Sequence, residues 1–147
     1  MKYKYLESKY NVPKYEDIKK EINIDSIEED KDLVREILNK LDSKTSKYAN
    51  LIEDLIQSDS SFTSMHESGY VRSKNVNLNE ILMKLMKMNR DVILTLFNYE
   101  EEKAVESINK LFSEWIMLKP EVNKVLELLR DSWKEKINEK KDWGYFG

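Results

Sequence analysis

The sequence lacks, or nearly lacks, the residues on which many small catalytic and disulfide-stabilised folds depend. Its 147 residues include no cysteine, which excludes disulfides and thiolate chemistry. Three glycines and two prolines provide few turns, which disfavours β-hairpins and favours helices joined by few loops. The single histidine, His66, cannot supply a helical di-metal site, and no glycine-rich phosphate loop is present. We therefore expect an all-α chain without a cofactor or a bound metal.

The charge pattern and the hydropathy favour a solvated surface. Charged residues make up 36% of the chain, yet the net charge is only −3 because opposite signs are mixed along it. No run of about 18 apolar residues is present, so no membrane contact is expected. The opening residues contain no apolar segment of the secretory type. We expect one domain spanning 1–147, located in the cytoplasm.

The most apolar stretch, residues 78–97, predicts the central helix of a bundle. On a helical wheel, Glu80, Lys84, Lys87 and Asp91 fall on one narrow stripe, and most other positions are apolar. The apolar arc covers about two thirds of the circumference, which is more than two neighbouring helices cover. If the bundle does not bury all of it, we expect a second chain to do so.

Capping residues predict where this helix begins and ends. Asn77 followed by Glu80 is typical of a helix start. The acidic run 100–102 is favourable at a helix N-terminus and unfavourable at a C-terminus, which predicts a break at Asn98. A continuous helix through to Leu118 is the alternative.

A proline predicts a further break in the C-terminal third. Pro120 disfavours helical geometry in the residue before it, so we expect two helices that form an antiparallel hairpin. Equal steps from that turn place Trp133 opposite Ala104. Gly144 is expected to reverse the last helix and return the aromatic tail 143–147 to its surface.

The N-terminal half predicts an arm and two helices. Residues 1–12 fit neither helix nor strand periodicity and are expected to pack their tyrosines on the bundle. Pro13 predicts a short helix, and Asp25 predicts the cap of a longer one. Its apolar stripe runs over 27–55, with a kink expected at 42–46 because those residues are poor or neutral helix formers.

The serine-rich stretch 57–76 predicts one long irregular loop, either ordered for a function or disordered. The fold class predicted is therefore all-α, a four-to-five-helix up-and-down bundle interrupted by this loop. His66 and Tyr70 lie in the loop. A lone histidine among serines lacks the nucleophile geometry of catalysis, so its best use would be in binding.

Two features of the central helix point to recognition. Asn89 lies in the middle of the apolar arc, where an unpaired amide would cost about 1–3 kcal/mol. It therefore either bonds across helices, with Thr45 or Ser107 as candidates, or faces a pocket or subunit interface. Methionines cluster on the same helix, and they are either core gap-fillers or an adaptable binding surface. The candidate partner-binding residues are Met83, Met86, Asn89, Arg90 and Ile93, with His66 and Tyr70 from the loop.

These observations predict a non-enzymatic protein-interaction module of adaptor or regulatory type that associates with itself or with another protein. The alternative is a nucleic-acid-associated protein, although the acidic net charge makes nucleic acid an unexpected partner. Its contacts would be Arg72, Lys74, Lys84, Lys87 and Arg90. A magnesium-dependent enzyme that uses helix carboxylates such as Glu102 and Glu106 is the third hypothesis.

Overall fold

The structure is a computed structural model that describes residues 2–57 and 62–146; for Lys2, Ser64 and 140–146 it describes the backbone alone. Over these residues it is all-α, as predicted, and contains no strand. The predicted count of four to five helices is not confirmed, since the described residues form six α-helices and one 3-10 turn. They are α1 Lys2–Lys9, α2 Tyr15–Glu21, the 3-10 turn Ile24–Ser26, α3 Leu33–Gln57, α4 Phe62–Ser73, α5 Leu78–Phe97 and α6 Glu101–Phe146.

The longest helix is α6, and α3, α4 and α5 all pack against it. Its 46 residues extend about 69 Å at 1.5 Å per residue. Helix α5 lies antiparallel to its first half: the Thr95 and Ser107 hydroxyls are 2.9 Å apart, and Lys84 Nζ is 3.8 Å from a Glu121 carboxylate oxygen. Helix α3 packs against both and closes the core between the three helices.

The stretch predicted as an irregular loop, 57–76, contains helix α4. Composition suggested a loop, but tertiary packing decides the structure: Val71 and Ser68 are buried, and His66 Nε2 lies 2.9 Å from the Ser132 carbonyl oxygen of α6. Helix α4 ends in a turn where Asn75 has a φ of 57°, a conformation that asparagine tolerates. Residues 58–61 of the predicted loop lie outside the described residues.

The proline of α6 does not end the helix, so the prediction of a hairpin at Pro120 is wrong. Trp133 and Ala104 lie on the same helix, about 44 Å apart along its axis, and cannot face each other. Pro120 and Ile116 are exposed, so water can solvate the carbonyl that lacks its helical donor. The buried stripe crosses Pro120 without a change of phase, through Ile108, Leu111, Trp115, Leu118, Val122, Val125 and Leu129.

The end of α6 also differs from the prediction. Helical backbone continues to Phe146, so Gly144 does not reverse the chain. The side chains of the expected aromatic tail, Tyr145 and Phe146, lie outside the described residues.

Helix α3 begins later than predicted. Asp25 lies in the 3-10 turn and makes no cap, whereas the Asp32 carboxylate accepts from the backbone N–H of Val34 at 3.1 Å and of Arg35 at 3.3 Å. The helix is continuous through 42–46, where the Thr45 hydroxyl donates back to the carbonyls of the preceding turn.

The N-terminal segment is helical rather than an irregular arm. Helix α1 buries Tyr3 and Leu6, and the Tyr3 hydroxyl donates to the carbonyl of Pro13. Tyr10 donates to a Glu101 carboxylate oxygen at 2.9 Å, which joins this segment to the start of α6. The expected packing of tyrosines is therefore seen for Tyr3 and Tyr10, while Tyr5 is exposed.

Both predicted ends of α5 are confirmed. The Asn77 side chain accepts from the Glu80 backbone N–H at 3.1 Å, and the helix stops at Phe97 before Asn98. Within the ranges described, no helix is both long enough and apolar enough to cross a membrane.

Candidate functional site

The two sides of α5 are both apolar, but only one is buried. The buried side packs on α3 and α6 with residues three or four apart: Leu78, Ile81, Leu85, Met88 and Val92. The opposite side, which we call the outer face of α5, consists of Met83, Met86, Arg90, Ile93, Leu94 and Phe97.

The outer face of α5 is largely uncovered by the described chain. Phe97 is 86% exposed, Met83 67%, Leu94 62% and Ile93 52%, while Met86 is half-buried. Scattered single exposed apolar residues are ordinary on protein surfaces, whereas several on one helix face are typical of a contact site. Four of the predicted partner-binding residues, Met83, Met86, Arg90 and Ile93, lie on this face.

The edge of this face next to α3 is polar and fully paired. Asn89 donates to an Asp42 carboxylate oxygen at 2.7 Å and lies 3.4 Å from the Ser46 hydroxyl. Of the two alternatives for Asn89, the structure shows the hydrogen bond between helices. The expected partners, Thr45 and Ser107, instead form hydrogen bonds with other residues. The bond fixes the rotation of α5 against α3 and thereby sets which residues point outward.

Arg90 lies on the outer face, but its charged end reaches this edge. Its guanidinium donates to the Asn89 side-chain oxygen, so the charged end is held at the margin while the aliphatic stem lies on the outer face. Arg90 therefore interrupts the apolar face less than its charge suggests.

The other edge of α5, next to α6, is a row of ion pairs. Lys87 bonds Asp91 at 2.9 Å and approaches Glu114 at 3.8 Å, while Lys84 approaches Glu121 at 3.8 Å. The hydrogen bond that Lys87 donates to Asp91 raises the pKa of Lys87. Each of these lysines is paired with acidic side chains, which reduces the positive electrostatic potential that would attract a nucleic acid.

Two further residues of the nucleic-acid alternative lie on or next to α4. Arg72 donates to the Ile56 carbonyl of α3 at 2.9 Å, and the Lys74 ammonium lies 5.0 Å from the centre of the Tyr70 ring. Tyr70 is thus half-buried beside Lys74 and is not part of the outer face of α5.

His66 is likewise separate from the outer face. Its ring centre lies 4.7 Å from that of Trp133 on α6, and Trp133 donates to a Glu67 carboxylate oxygen at 3.1 Å. These contacts attach α4 to α6. The structure therefore does not bring His66 and Tyr70 together with the α5 residues of the predicted set.

An apolar groove of about 290 Å³ lies between α5 and α6. Met88 and Leu118 are buried and form its base, and Met117, which is 81% exposed, lines one side. The charged residues around it are Lys84, Lys87, Glu114 and Glu121. The groove can hold an apolar group of about the size of one large side chain.

A second cluster is centred on a buried carboxylate of α2, Glu21, and was not singled out by the sequence. One carboxylate oxygen accepts from Lys119 at 2.7 Å; the other accepts from Trp115 at 2.8 Å and Lys44 at 2.9 Å. Burial alone would raise the pKa of Glu21, but the bonds from Lys119, Trp115 and Lys44 lower it to about 2. Both oxygens are engaged, so the cluster joins α2 to α3 and α6 and offers no position to a substrate.

No group of three or more metal-ligating side chains (His, Cys, Asp or Glu) comes together within the described ranges 2–57 and 62–146. The structure thus gives no support to the magnesium hypothesis. Sequence reasoning also left Leu94, Phe97 and Met117 out of the candidate set. Phe97 could have been found, because it continues the three-and-four spacing of Met83, Met86, Arg90 and Ile93.

Comparison with known proteins gives no relative: no family model, no curated protein and no solved structure matches this chain.

Proposed function

We propose that this chain is a non-enzymatic protein-interaction module of the cytoplasm that self-associates through the outer face of α5. The observation that supports the proposal is the exposure of Phe97, Met83, Leu94 and Ile93 on one side of a helix whose other side is already buried. Removing such apolar surface from water stabilises an association by roughly 25 cal/mol per Å².

The apolar area of the outer face of α5 is large enough to form the centre of a dimer interface. These side chains offer on the order of 500 Å² of apolar surface. A standard interface buries roughly 800 Å² per partner, with an apolar centre and a polar rim. Here the rim would be the Asn89–Asp42 edge on one side and the Lys87–Asp91 row on the other.

A second copy of the chain is the simplest partner for this face. In a two-fold dimer the same patch is used twice, so one apolar face is enough to bury itself. Arg90, at the centre of the face, can keep its charge at the margin while its stem is covered.

Sedimentation velocity at several protein concentrations tests the proposal. We expect a concentration-dependent dimer for the wild-type chain and a monomer for Ile93→Glu, because a buried charge would oppose the association. Met65→Glu is the matched control: Met65 is 60% exposed on α4, outside the outer face, and should leave the dimer intact. A wild-type chain that stays monomeric at every concentration would refute self-association, and thermal melting verifies that each variant is folded.

A further inference from the structure

We propose that Met83 is an oxidation site that controls self-association: peroxide converts its thioether to the sulfoxide in the single chain, and the sulfoxide keeps two copies apart. The inference rests on the self-association proposed above. It adds a covalent modification of the outer face of α5 and the residue that carries it.

Sulfur chemistry in this chain belongs to methionine alone, because no cysteine is present. The structure describes the side chains of several methionines, and they differ in exposure and in position. They are Met65, Met83, Met86, Met88 and Met117. A peroxide in water oxidises a thioether that it can reach, so the exposed members of this set react first.

Among these methionines, only Met83 combines an exposed side chain with a place on the outer face of α5. Met83 is 67% exposed, whereas Met88 is buried in the core and Met86 is half-buried. Met65 lies on α4 and Met117 on α6, where each is more than half exposed but outside this face. Met83 is therefore the methionine whose oxidation changes the contact surface most.

The reaction needs no group of the protein besides the thioether. A lone pair of the Met83 sulfur attacks one oxygen of hydrogen peroxide and the O–O bond breaks. The second oxygen leaves as water with the proton that the first oxygen gives up. One sulfur–oxygen bond forms, so the sulfur loses two electrons and the peroxide gains them. The product is a polar side chain in place of an apolar one.

A sulfoxide on the outer face of α5 is costly to bury because the donors beside it are already engaged. The two cationic side chains that flank Met83 on the helical wheel, Lys87 and Arg90, donate to Asp91 and Asn89. The apolar side chains of the face carry no hydrogen-bond donor. Burial of one unpaired polar group weakens an association about tenfold, and a two-fold dimer buries two, so we expect a loss of about a hundredfold.

Association and oxidation compete for the same side chain. Two copies that cover the outer face of α5 shield Met83 from peroxide, whereas the single chain exposes it. Each oxidised chain is withdrawn from the equilibrium, so the remaining dimers dissociate by mass action and are oxidised in turn. The change is reversible, because methionine sulfoxide reductases restore the thioether.

Limited hydrogen peroxide treatment followed by sedimentation velocity tests the site. The wild-type chain is treated at a concentration at which it is associated, and mass spectrometry measures the sulfoxide at each methionine. We expect the monomer fraction to rise with the sulfoxide fraction at Met83, and enzymatic reduction of the sulfoxide to restore the dimer. Met88 should remain unoxidised, which verifies that the chain stays folded.

Two substitutions of Met83 provide matched controls. Met83→Leu keeps the face apolar but has no sulfur, so it should remain a dimer after the same treatment, although Met65 and Met117 are oxidised. Met83→Gln places a neutral polar side chain of similar length on the face, so it should weaken association without peroxide to a similar extent as the sulfoxide.

The outcomes separate this inference from the proposed function. If Ile93→Glu abolishes the dimer, while the wild-type chain oxidised at Met83 and Met83→Gln both associate as tightly as the untreated wild type, the oxidation site is refuted and the proposed function stands. Loss of the dimer in peroxide-treated Met83→Leu would also refute the site. If the untreated wild-type chain does not associate at any concentration, both proposals are refuted.

Discussion

The substitution Glu21→Gln removes the charge that joins α2 to α3 and α6. Burial by itself would raise the pKa of Glu21, but the hydrogen bonds from Lys119, Trp115 and Lys44 lower it from 4.5 to about 2. At 1.36 kcal/mol per pKa unit, this difference makes the ionised carboxylate worth about 3 kcal/mol to the folded state. We therefore expect Glu21→Gln to lower the free energy of unfolding at pH 7 by about 3 kcal/mol, since glutamine brings no charge to the two lysines.

The pH dependence carries a definite sign. Between pH 4.5 and pH 2 the unfolded chain holds a proton on Glu21 that the folded chain does not. The free energy of unfolding therefore falls as the pH falls through this window, by up to 1.36 kcal/mol per pH unit. Above pH 4.5 the contribution is fully present, and below pH 2 it is lost. Glu21→Gln has no such proton, so its deficit relative to wild type should shrink steadily on acidification.

Urea unfolding of both chains at pH 7 and at pH 3 measures these differences. Glu139→Gln is the control, because its pair with Lys136 is on the surface and should contribute less than about 1 kcal/mol. A deficit for Glu21→Gln below about 1 kcal/mol at pH 7, or one that is the same at both pH values, would refute the structural role assigned to this carboxylate.

Three further substitutions test individual elements, each by urea unfolding. Gly69→Ala should stabilise the chain by about 0.5–1 kcal/mol, because Gly69 lies in α4 with a negative φ and an added Cβ would meet nothing within 4 Å; a loss of stability would contradict helix α4. Pro120→Ala should stabilise it by about 1–3 kcal/mol, since the Ile116 carbonyl would regain its donor; a hairpin at this position would make the same change destabilising. Asp32→Ala should cost about 1 kcal/mol as a lost helix cap. Burial and the Asp32 carboxylate raise the pKa of Tyr99 to about 12, so Asp32→Ala should also lower that pKa, and an unchanged ultraviolet titration of Tyr99 would contradict their contact.

Local signals in the sequence were sufficient for α5. Asn77 and Glu80 define its start through side-chain bonds to backbone a few residues away, and the acidic residues after Asn98 define the next start. The wide apolar arc could also be predicted, because helical spacing alone determines that Met83 and Leu94 lie opposite Leu85 and Val92. Such features depend on residues close in sequence, which is why they can be predicted without a fold.

The features that were missed depend on contacts distant in sequence. Helix α4 has a composition typical of a loop, and it is attached through His66 to Ser132 of α6. At Pro120 the preference of proline for a helix start predicts a break, but the buried residues keep their helical spacing on both sides of it. Burial of these residues stabilises the continuous helix by more than the one missing hydrogen bond costs.

The Glu21 cluster is the clearest such case. Its members come from three helices, and Glu21 lies 94 residues before Trp115 and 98 before Lys119. A glutamate in a short charged helix gives no local sign of burial. The role of Glu21 in joining three helices becomes visible only in the folded structure, where α2 contacts both α3 and α6.

The central claim is that the outer face of α5 is covered by a second copy in solution, and peroxide oxidation of methionines measured by mass spectrometry tests it most directly. Met83 and Met65 are comparably exposed in the single chain, at 67% and 60%, but only Met83 lies on the outer face. We predict that oxidation of Met83 slows as protein concentration rises, while that of Met65 does not change. Equal oxidation of both methionines at every concentration would contradict the account.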